Sequence, residues 1–271
     1  MSAPTAAPIY VEAIGIAAPG LPNWAEARAT LRGERAYVAA ELPPYQPQWL
    51  PANERRRAGA AVRLAFRAAE DAMQRSSFAP AELAAVFASS DADTPVIHRI
   101  CSALAEPARM VSPTDFHNSV HNAAAGYWSI ATACTQPSTS LSAWDWSFAA
   151  GLLEAYALAA DGSDVLLVAY DIPPPEPLLE RRPIAGPFAA ALVLSPREVP
   201  DRIARIAVTL GDGCGGSLAE PALEALRLGN PAGRALPLLR ALASASLGGQ
   251  QETALLPMPG DRVLRVTLDA P

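Results

Sequence analysis

Residues 139–171 read TSLSAWDWSFAAGLLEAYALAADGSDVLLVAYD and contain three periodic patterns in succession. The run 139–143 predicts a short strand, and 164–171 predicts a strand that is apolar on both faces. Such a strand is typical of a sheet covered by helices on each side. Between them, 147–160 predicts a helix with one apolar stripe. The stripe consists of Phe148, Leu152, Tyr156 and Ala159. Strand, turn, helix and strand in this order predict an α/β fold.

The same alternation continues on both sides of this stretch. Further strand candidates are 9–17, 84–91, 188–195, 205–210 and 262–269. Helix candidates are a long helix capped by Asn53, a helix at 96–106 and a helix at 237–245. Cys101 lies next to the apolar face of the 96–106 helix, formed by Ile97, Ile100 and Leu104, and is predicted to be a small core thiol.

The composition excludes several classes of protein. The chain has 271 residues and 51% hydrophobic content, which favours one large domain. Its formal charge of -6 carries no long run of either sign, so neither nucleic acid nor an anionic membrane is an expected partner. No apolar run is long enough to span a membrane, and the N-terminus lacks a signal pattern, which predicts a cytoplasmic protein. Cys101, Cys134 and Cys214 are too few and too widely spaced for a disulfide framework or structural zinc.

The turn Ala143-Trp144-Asp145 lies where a strand meets a helix, which is where several folds present a nucleophile. It contains neither cysteine nor serine. Cys134 comes about ten residues earlier, beyond Gln136-Pro137, so we predict a thiol packed under the sheet. An autonomous acyltransferase or hydrolase that pairs Cys134 with His117 or His121 stays open as an alternative.

Two other motifs are weak signals. FHNSVHN (116–122) has two histidines four residues apart, but no third metal ligand is in view, so no metal site is predicted. GDGCGGS (211–217) has no lysine and no GxGxxG spacing, so we interpret it as a flexible link and expect no nucleotide cofactor.

Seven segments in order resemble a known family. Besides the 143–145 turn, they are IYVEAIGIAAPG (9–20), WAEARATLRGE (24–34), LPANERRRAGAAVRLAFRAAEDAM (50–73), SPTDFHNSVHNAAAGYWSIAT (112–132), GSDVLLVAYD (162–171) and RRPIAGPFAAALVLSP (181–196). The family is the β-ketoacyl synthases of the thiolase superfamily, and specifically their short N-terminal-domain relatives from aryl polyene pigment clusters. The resemblance implies a thiolase-like mixed sheet covered by helices that lacks most of the C-terminal catalytic half. It implies a ketosynthase-like domain at 1–210 and a short extension at 211–271 that packs on it.

Catalytic members of that family carry the acyl-accepting cysteine at the turn, and this position falls on Trp144 or Asp145 here. Their two active-site histidines come from C-terminal motifs that this chain lacks. The resemblance therefore implies no catalytic residue and no cofactor. It implies a chain-length factor that pairs with a catalytic ketosynthase and acts on chains held by an acyl carrier protein. Its tunnel or interface residues would be Phe116, His117, Val120 and His121. A small-molecule binding domain is the second alternative.

Overall fold

The computed structural model describes residues 8–245 and 251–269, and in these ranges eight strands form one mixed sheet. The strands are β1 (Ile9–Ala17), β2 (Ala84–Ala88), β3 (Ser138–Leu141), β4 (Val165–Asp171), β5 (Phe188–Ser195), β6 (Ala204–Asp212), β7 (Glu252–Met258) and β8 (Arg262–Asp269). Their order across the sheet is β3-β2-β4-β5-β1-β6-β8-β7. The predicted α/β fold with a mixed sheet is confirmed.

Helices cover both faces of this sheet. They are α1 (Trp24–Leu31), α2 (Ala52–Arg57), α3 (Ala60–Met73), α4 (Thr94–Ala105), α5 (Pro113–Asn118), α6 (Ala123–Thr132), α7 (Ser147–Ala160), α8 (Leu178–Arg181), α9 (Pro221–Leu228) and α10 (Leu236–Ala245). Across the described ranges, no helix combines the length and the hydropathy that a membrane crossing requires.

The strands β3, β2 and β4 are parallel, whereas every pairing from β4 to β7 across the sheet is antiparallel. The carboxyl ends of three parallel neighbours meet at one edge of the sheet. Side chains that follow Ala88, Leu141 and Asp171 are therefore brought together, although they are far apart in sequence.

Alternate residues of the central strands belong to two separate cores. In β2, Val86 points into the core formed with α7 and α10, whereas Phe87 points into the core formed with α3 and α6. Helix α3 lies against β1 at Gly15, where an added Cβ atom would be 2.0 Å from the carbonyl oxygen of Ala68. Burial on both faces explains why these strands are continuous apolar runs.

The residues after 210 extend the same sheet. Strand β8 pairs with β6, and β7 pairs with β8 at the edge. Strand β7 and helix α9 were not among the predicted elements. The glycine-rich segment 211–217 is not a free link: it begins within β6, and the Gly216 amide donates a hydrogen bond to the Leu255 carbonyl of β7.

The prediction of one long helix capped by Asn53 is wrong. Helix α2 ends at Arg57, and the chain is extended at Ala58 before α3 begins. The break occurs where the Asp93 carboxyl group packs against Gly59, since an added Cβ atom there would be 2.1 Å from Asp93 Oδ2. The Asp93 carboxyl group therefore leaves room only for glycine at position 59 in this backbone conformation.

The prediction of a core thiol at Cys101 is also wrong. Helix α4 exists, but Cys101 is exposed, and so are Ile97 and Leu104 of its apolar face. Only Thr94 and Val96, in its first turn, are buried. The apolar stripe of α4 faces away from the sheet, so its sequence pattern requires a different explanation.

Candidate functional site

The turn between β3 and α7 is sharp and carries a strained residue. A 3-10 helix at Trp144–Trp146 joins the two elements, and Trp144 has a φ of 56°, in the left-handed region. For a residue other than glycine this conformation costs on the order of 1 kcal/mol or more. The Ser147 hydroxyl holds the turn by accepting a bond from the Ala143 amide (3.0 Å) and donating one to the Trp144 carbonyl (2.7 Å).

Arg182 binds this turn from a distant segment. Its Nη1 lies 2.6 Å from Asp145 Oδ1, and its Nε lies 2.9 Å from Asp91 Oδ2. Its guanidinium carbon lies 3.9 Å from the centroid of the Trp144 ring. Burial opposes the charge, yet the hydrogen bonds to both carboxylates raise the pKa of Arg182 above its usual value. The guanidinium is therefore permanently charged.

The indole of Trp144 is 53% exposed. In the chain by itself, this side chain is therefore not part of a buried core. The Arg182 guanidinium lies over the ring. Trp144 is not a member of either hydrophobic core.

Asp171 ends β4 and is buried beside the same edge of the sheet. Its Oδ1 accepts hydrogen bonds from the Ser89 hydroxyl (3.0 Å), the Ser90 amide (2.8 Å) and the Ser90 hydroxyl (2.8 Å). Its Oδ2 has no hydrogen-bond partner among the described residues. Burial raises the pKa of Asp171 to about 7, although the hydrogen bonds from Ser90 and Ser89 act in the opposite direction.

The segment after β2 contacts two regions that were predicted separately from the sequence, namely the loop after α5 and the turn at Trp144. This segment consists of Ser89, Ser90 and Asp91. His121 Nε2 lies 3.1 Å from the Ser89 carbonyl, which brings the loop after α5 to this point. The Ser142 hydroxyl donates to the Ser90 carbonyl (2.8 Å), which ties the turn to the same strand end. The structure therefore places His121 and the Trp144 turn on either side of one short segment.

The remaining predicted interface residues lie on an exposed face. Phe116 is 71% exposed and Val120 is also exposed, whereas the His117 ring contacts Tyr127 edge-on at 6.0 Å. Helix α5 ends at Asn118, so His117 and His121 do not share a helix face. Among residues 8–245 and 251–269, no group of three His, Cys, Asp or Glu side chains could hold a metal ion.

Cys134 is buried at the opposite end of β2. Its Sγ donates to the Leu83 carbonyl at 3.3 Å, so the thiol is buried, as predicted, but it lies at the end of a strand and belongs to neither core. Leu83 and Ser89 are six residues apart along an extended strand, and this corresponds to about 20 Å. Cys134 and His121 therefore lie too far apart to form a nucleophile and base pair.

Sequence reasoning missed Asp91, Asp171 and Arg182. Asp91 and Asp171 follow or end predicted strands, so their positions at strand ends were available as a signal. Arg182 carried no such signal, because it lies at the end of the short helix α8 in a proline-rich connection.

The raised pKa of Asp171 leads to a prediction about stability. The folded chain keeps a proton on Asp171 between its ordinary pKa of 3.8 and about 7, whereas the unfolded chain has released it. Stability from this group is therefore complete below the lower value and is lost as pH rises through the higher one, at about 1.4 kcal/mol per pH unit. The free energy of unfolding should decline between pH 5 and 7 more steeply in the wild type than in Asp171→Asn.

Urea unfolding of both proteins at pH 5, 6, 7 and 8 measures this difference. Because Asp171 Oδ2 has no hydrogen-bond partner in the described part of the chain, the amide group of the asparagine at this position would be an unsatisfied donor. This lowers the free energy of unfolding of the variant by an amount that does not depend on pH. Parallel pH profiles for the two proteins would contradict the assignment of the proton to Asp171.

Comparison with known protein families identifies the family to which the chain belongs. The family described as β-ketoacyl synthase, N-terminal domain, matches residues 24–212, which is more than half of the chain. No curated protein sequence matches this chain.

Several solved structures share the fold over nearly the whole chain. One is a chain of the ketosynthase ApeO in complex with its chain length factor ApeC from Xenorhabdus doucetiae, with a TM-score of 0.72, 22% identity, and coverage of 96% of this chain and 99% of that chain. A chain of AntDE:AntF, a type II polyketide synthase carrier protein with its ketosynthase, gives 0.76 at 12% identity, covering 98% and 100%. A chain of the ishigamide ketosynthase/chain length factor gives 0.74 at 14% identity, covering 97% and 99%.

At these identities the structural likeness shows the fold alone, and the thiolase-like architecture expected from the sequence is confirmed. The family match over residues 24–212 independently connects the sequence with that architecture. The chain belongs to the β-ketoacyl synthase N-terminal domain family.

Proposed function

We propose that this chain is a non-catalytic ketosynthase-like subunit that pairs with a catalytic ketosynthase and limits the length of the chain being built. The observation that carries the proposal is the turn at Trp144. It keeps the strained strand-to-helix geometry that presents a nucleophile, yet the residue in the left-handed conformation is tryptophan. An indole cannot accept an acyl group. The φ angle favours Trp144 over Asp145 as the residue at the family's nucleophile position.

An exposed apolar face supports the pairing. Seven large apolar side chains between residues 97 and 144 are open to solvent. This apolar face consists of Ile97, Leu104, Met110, Phe116, Val120, Ile130 and Trp144. We infer that these side chains form one surface, since an exposed apolar patch is characteristic of a protein interface. A partner subunit that covers the exposed apolar stripe of α4 would explain why this stripe is apolar although it does not contact the sheet.

The edge of the sheet next to this face is also open. Strand β3 pairs with β2, and no described strand lies on its other side. The residues at this edge include Ser138, Thr139 and Ser140, which carry hydroxyl groups. Backbone groups pair with another strand whatever the side chains are, so we infer that the partner extends the sheet here.

The relatives support the choice of partner. The structures that share this fold include a ketosynthase in complex with its chain length factor, and a carrier protein in complex with its ketosynthase. By analogy, we assign a full-length ketosynthase as the partner and a carrier-protein-bound polyketide or fatty-acid-type chain as the substrate of the pair. The sequence resemblance points to an aryl polyene as the product.

A groove of about 400 Å³ lies beside the predicted tunnel residues. Glu54, Arg57, Pro113, Thr114, His117 and Ile130 line it. Its position between α2, α5 and α6 puts His117 at a surface that a partner would cover. We infer that His117 and its neighbour Phe116 border the acyl channel in the assembled pair.

The alternative of an autonomous enzyme using Cys134 has little support. The thiol is buried, and the roughly 20 Å between its end of β2 and that of His121 puts this histidine out of reach as a base. The alternative of a small-molecule binding domain predicts a protein that works alone. Co-expression with the candidate ketosynthase distinguishes it from the pairing hypothesis.

The test is an elongation assay with purified components. The chain alone is expected neither to decarboxylate nor to condense malonyl carrier protein, and the complex with its ketosynthase should do both. Cys134→Ala should leave the activity of the complex within about twofold of the wild type, because the thiol only donates to a backbone carbonyl.

The control replaces the nucleophilic cysteine of the ketosynthase by alanine, which should abolish condensation. Loss of product from Cys134→Ala with folding and complex formation intact would overturn the non-catalytic role.

A further inference from the structure

We propose that Arg182 is a positioning residue, which holds the Trp144 ring in place at the end of β3 and thereby sets where the growing chain stops. The inference rests on the proposed function and extends it. It assigns a role to a residue outside the 116–121 segment and outside the turn itself.

Three contacts converge on the one guanidinium group. Nε lies 2.9 Å from Asp91, Nη1 lies 2.6 Å from Asp145, and the guanidinium carbon lies 3.9 Å from the centroid of the Trp144 ring. Asp91 follows β2, whereas Trp144 and Asp145 follow β3. One side chain therefore ties together the ends of two neighbouring strands and fixes the ring relative to both.

Trp144 requires such a support because the core does not provide one. Its backbone is in the left-handed region and its side chain is 53% exposed, so packing against buried residues does not select the ring orientation. Arg182, by contrast, is only 8% exposed, and its planar group is held by two carboxylates. A fixed cation stacked on an indole is an attractive and directional contact.

The charged groups around the contact between Arg182 and Trp144 balance one another, and they restrict the orientation of the Arg182 guanidinium. Arg234 Nη2 lies 3.9 Å from Asp145 Oδ2, so two carboxylates face two guanidinium groups. A lysine at 182 would keep the charge, but its single ammonium group could not bridge Asp91 and Asp145 and also lie over the ring. Shape as well as charge is therefore required at this position.

The first experiment measures ring position directly in the full-length chain. The protein contains five tryptophans, so 5-fluorotryptophan labelling gives five 19F resonances, and Trp144→Phe assigns the one of interest. Arg182→Met and Arg182→Lys should each shift or broaden the Trp144 resonance and leave at least three of the others unchanged. The unchanged resonances show that the fold is intact. An unmoved Trp144 resonance in both variants would overturn the positioning role.

The second experiment measures product length in the complex with the ketosynthase. Arg182→Met and Trp144→Ala should each lengthen the product by at least one two-carbon unit. The double variant should give no more than Trp144→Ala alone, because Arg182 acts through the ring. A further lengthening in the double variant would mean that Arg182 acts separately, and would overturn the inference.

Arg197→Met is the matched control. Arg197 also pairs with an aspartate and lies over an aromatic ring, Phe78, but does so away from the turn. Its product length should equal that of the wild type.

The outcomes separate this inference from the proposed function. If Phe116→Ala lengthens the product and neither Arg182→Met nor Trp144→Ala does, the subunit role stands and the role of Arg182 is wrong. If the chain forms no complex with the ketosynthase, the proposed function is wrong, and the role of Arg182 in chain length is wrong with it.

Discussion

Ser140→Pro is expected to abolish association with the ketosynthase while the chain itself stays folded. The carbonyls of Pro137 and Leu141 accept hydrogen bonds from β2. Backbone groups alternate in direction along a strand, so those of Ser140 point to the open edge. A proline there removes the amide that a partner strand would use and places its ring in the way, whereas edge positions tolerate proline within their own sheet.

We expect the dissociation constant of the complex to rise at least 100-fold, which corresponds to about 2.7 kcal/mol. Co-purification with a tagged ketosynthase and titration of the two purified proteins measure this change. Thermal unfolding of the variant alone reports whether its fold is kept.

Ser140→Ala is the matched control, because it keeps the backbone amide. The Ser140 hydroxyl is buried and has no hydrogen-bond partner among the described residues, so its loss should leave association unchanged. Equal loss of binding in the alanine and proline variants, or wild-type binding in the proline variant, would show that the partner does not extend the sheet at β3.

Phe116→Ala is expected to lengthen the product and shift its absorption to longer wavelength. Phe116 projects from α5 with 71% of its surface exposed, on the apolar face that we assign to the partner. If its ring borders the acyl channel, a longer chain must be forced against it, at a cost of about 1 to 3 kcal/mol. Removal of the ring should speed the next extension by roughly tenfold or more. Mass spectrometry and absorption spectra of the products measure the change.

Met110→Ala is the control for weakened association. Met110 is 80% exposed on the same apolar face but outside the 116–121 segment. It should change product length little, even where it lowers yield. Products that are shorter or scarcer but never longer, across Phe116→Ala, Val120→Ala and His121→Ala alike, would mean that this segment supports the interface without limiting the chain.

The sequence by itself determined most of the strands, helix α7 and the residue types present at the turn. Strand β4 and helix α7 were predicted nearly to their ends, because burial on two faces and burial on one stripe leave periodic patterns that a local window contains. The absence of a thiol between β3 and α7 is likewise a property of the sequence. Our proposal that Trp144, rather than Asp145, holds the family's nucleophile position rests on the φ angle, which the sequence does not give.

The tertiary structure alone decided which side chains meet at the end of the parallel strands. Asp91, Asp145 and Arg182 are spread over more than 90 residues, and they converge only because β2, β3 and β4 are parallel neighbours. The burial of Asp171 has the same origin, since it depends on what packs around the strand end. The exposure of Cys101 and of the apolar stripe of α4 depends on the direction in which that helix faces, and periodicity carries no information about direction. Local patterns record that a face is apolar, whereas the packing of distant segments determines whether the chain itself or a partner covers it.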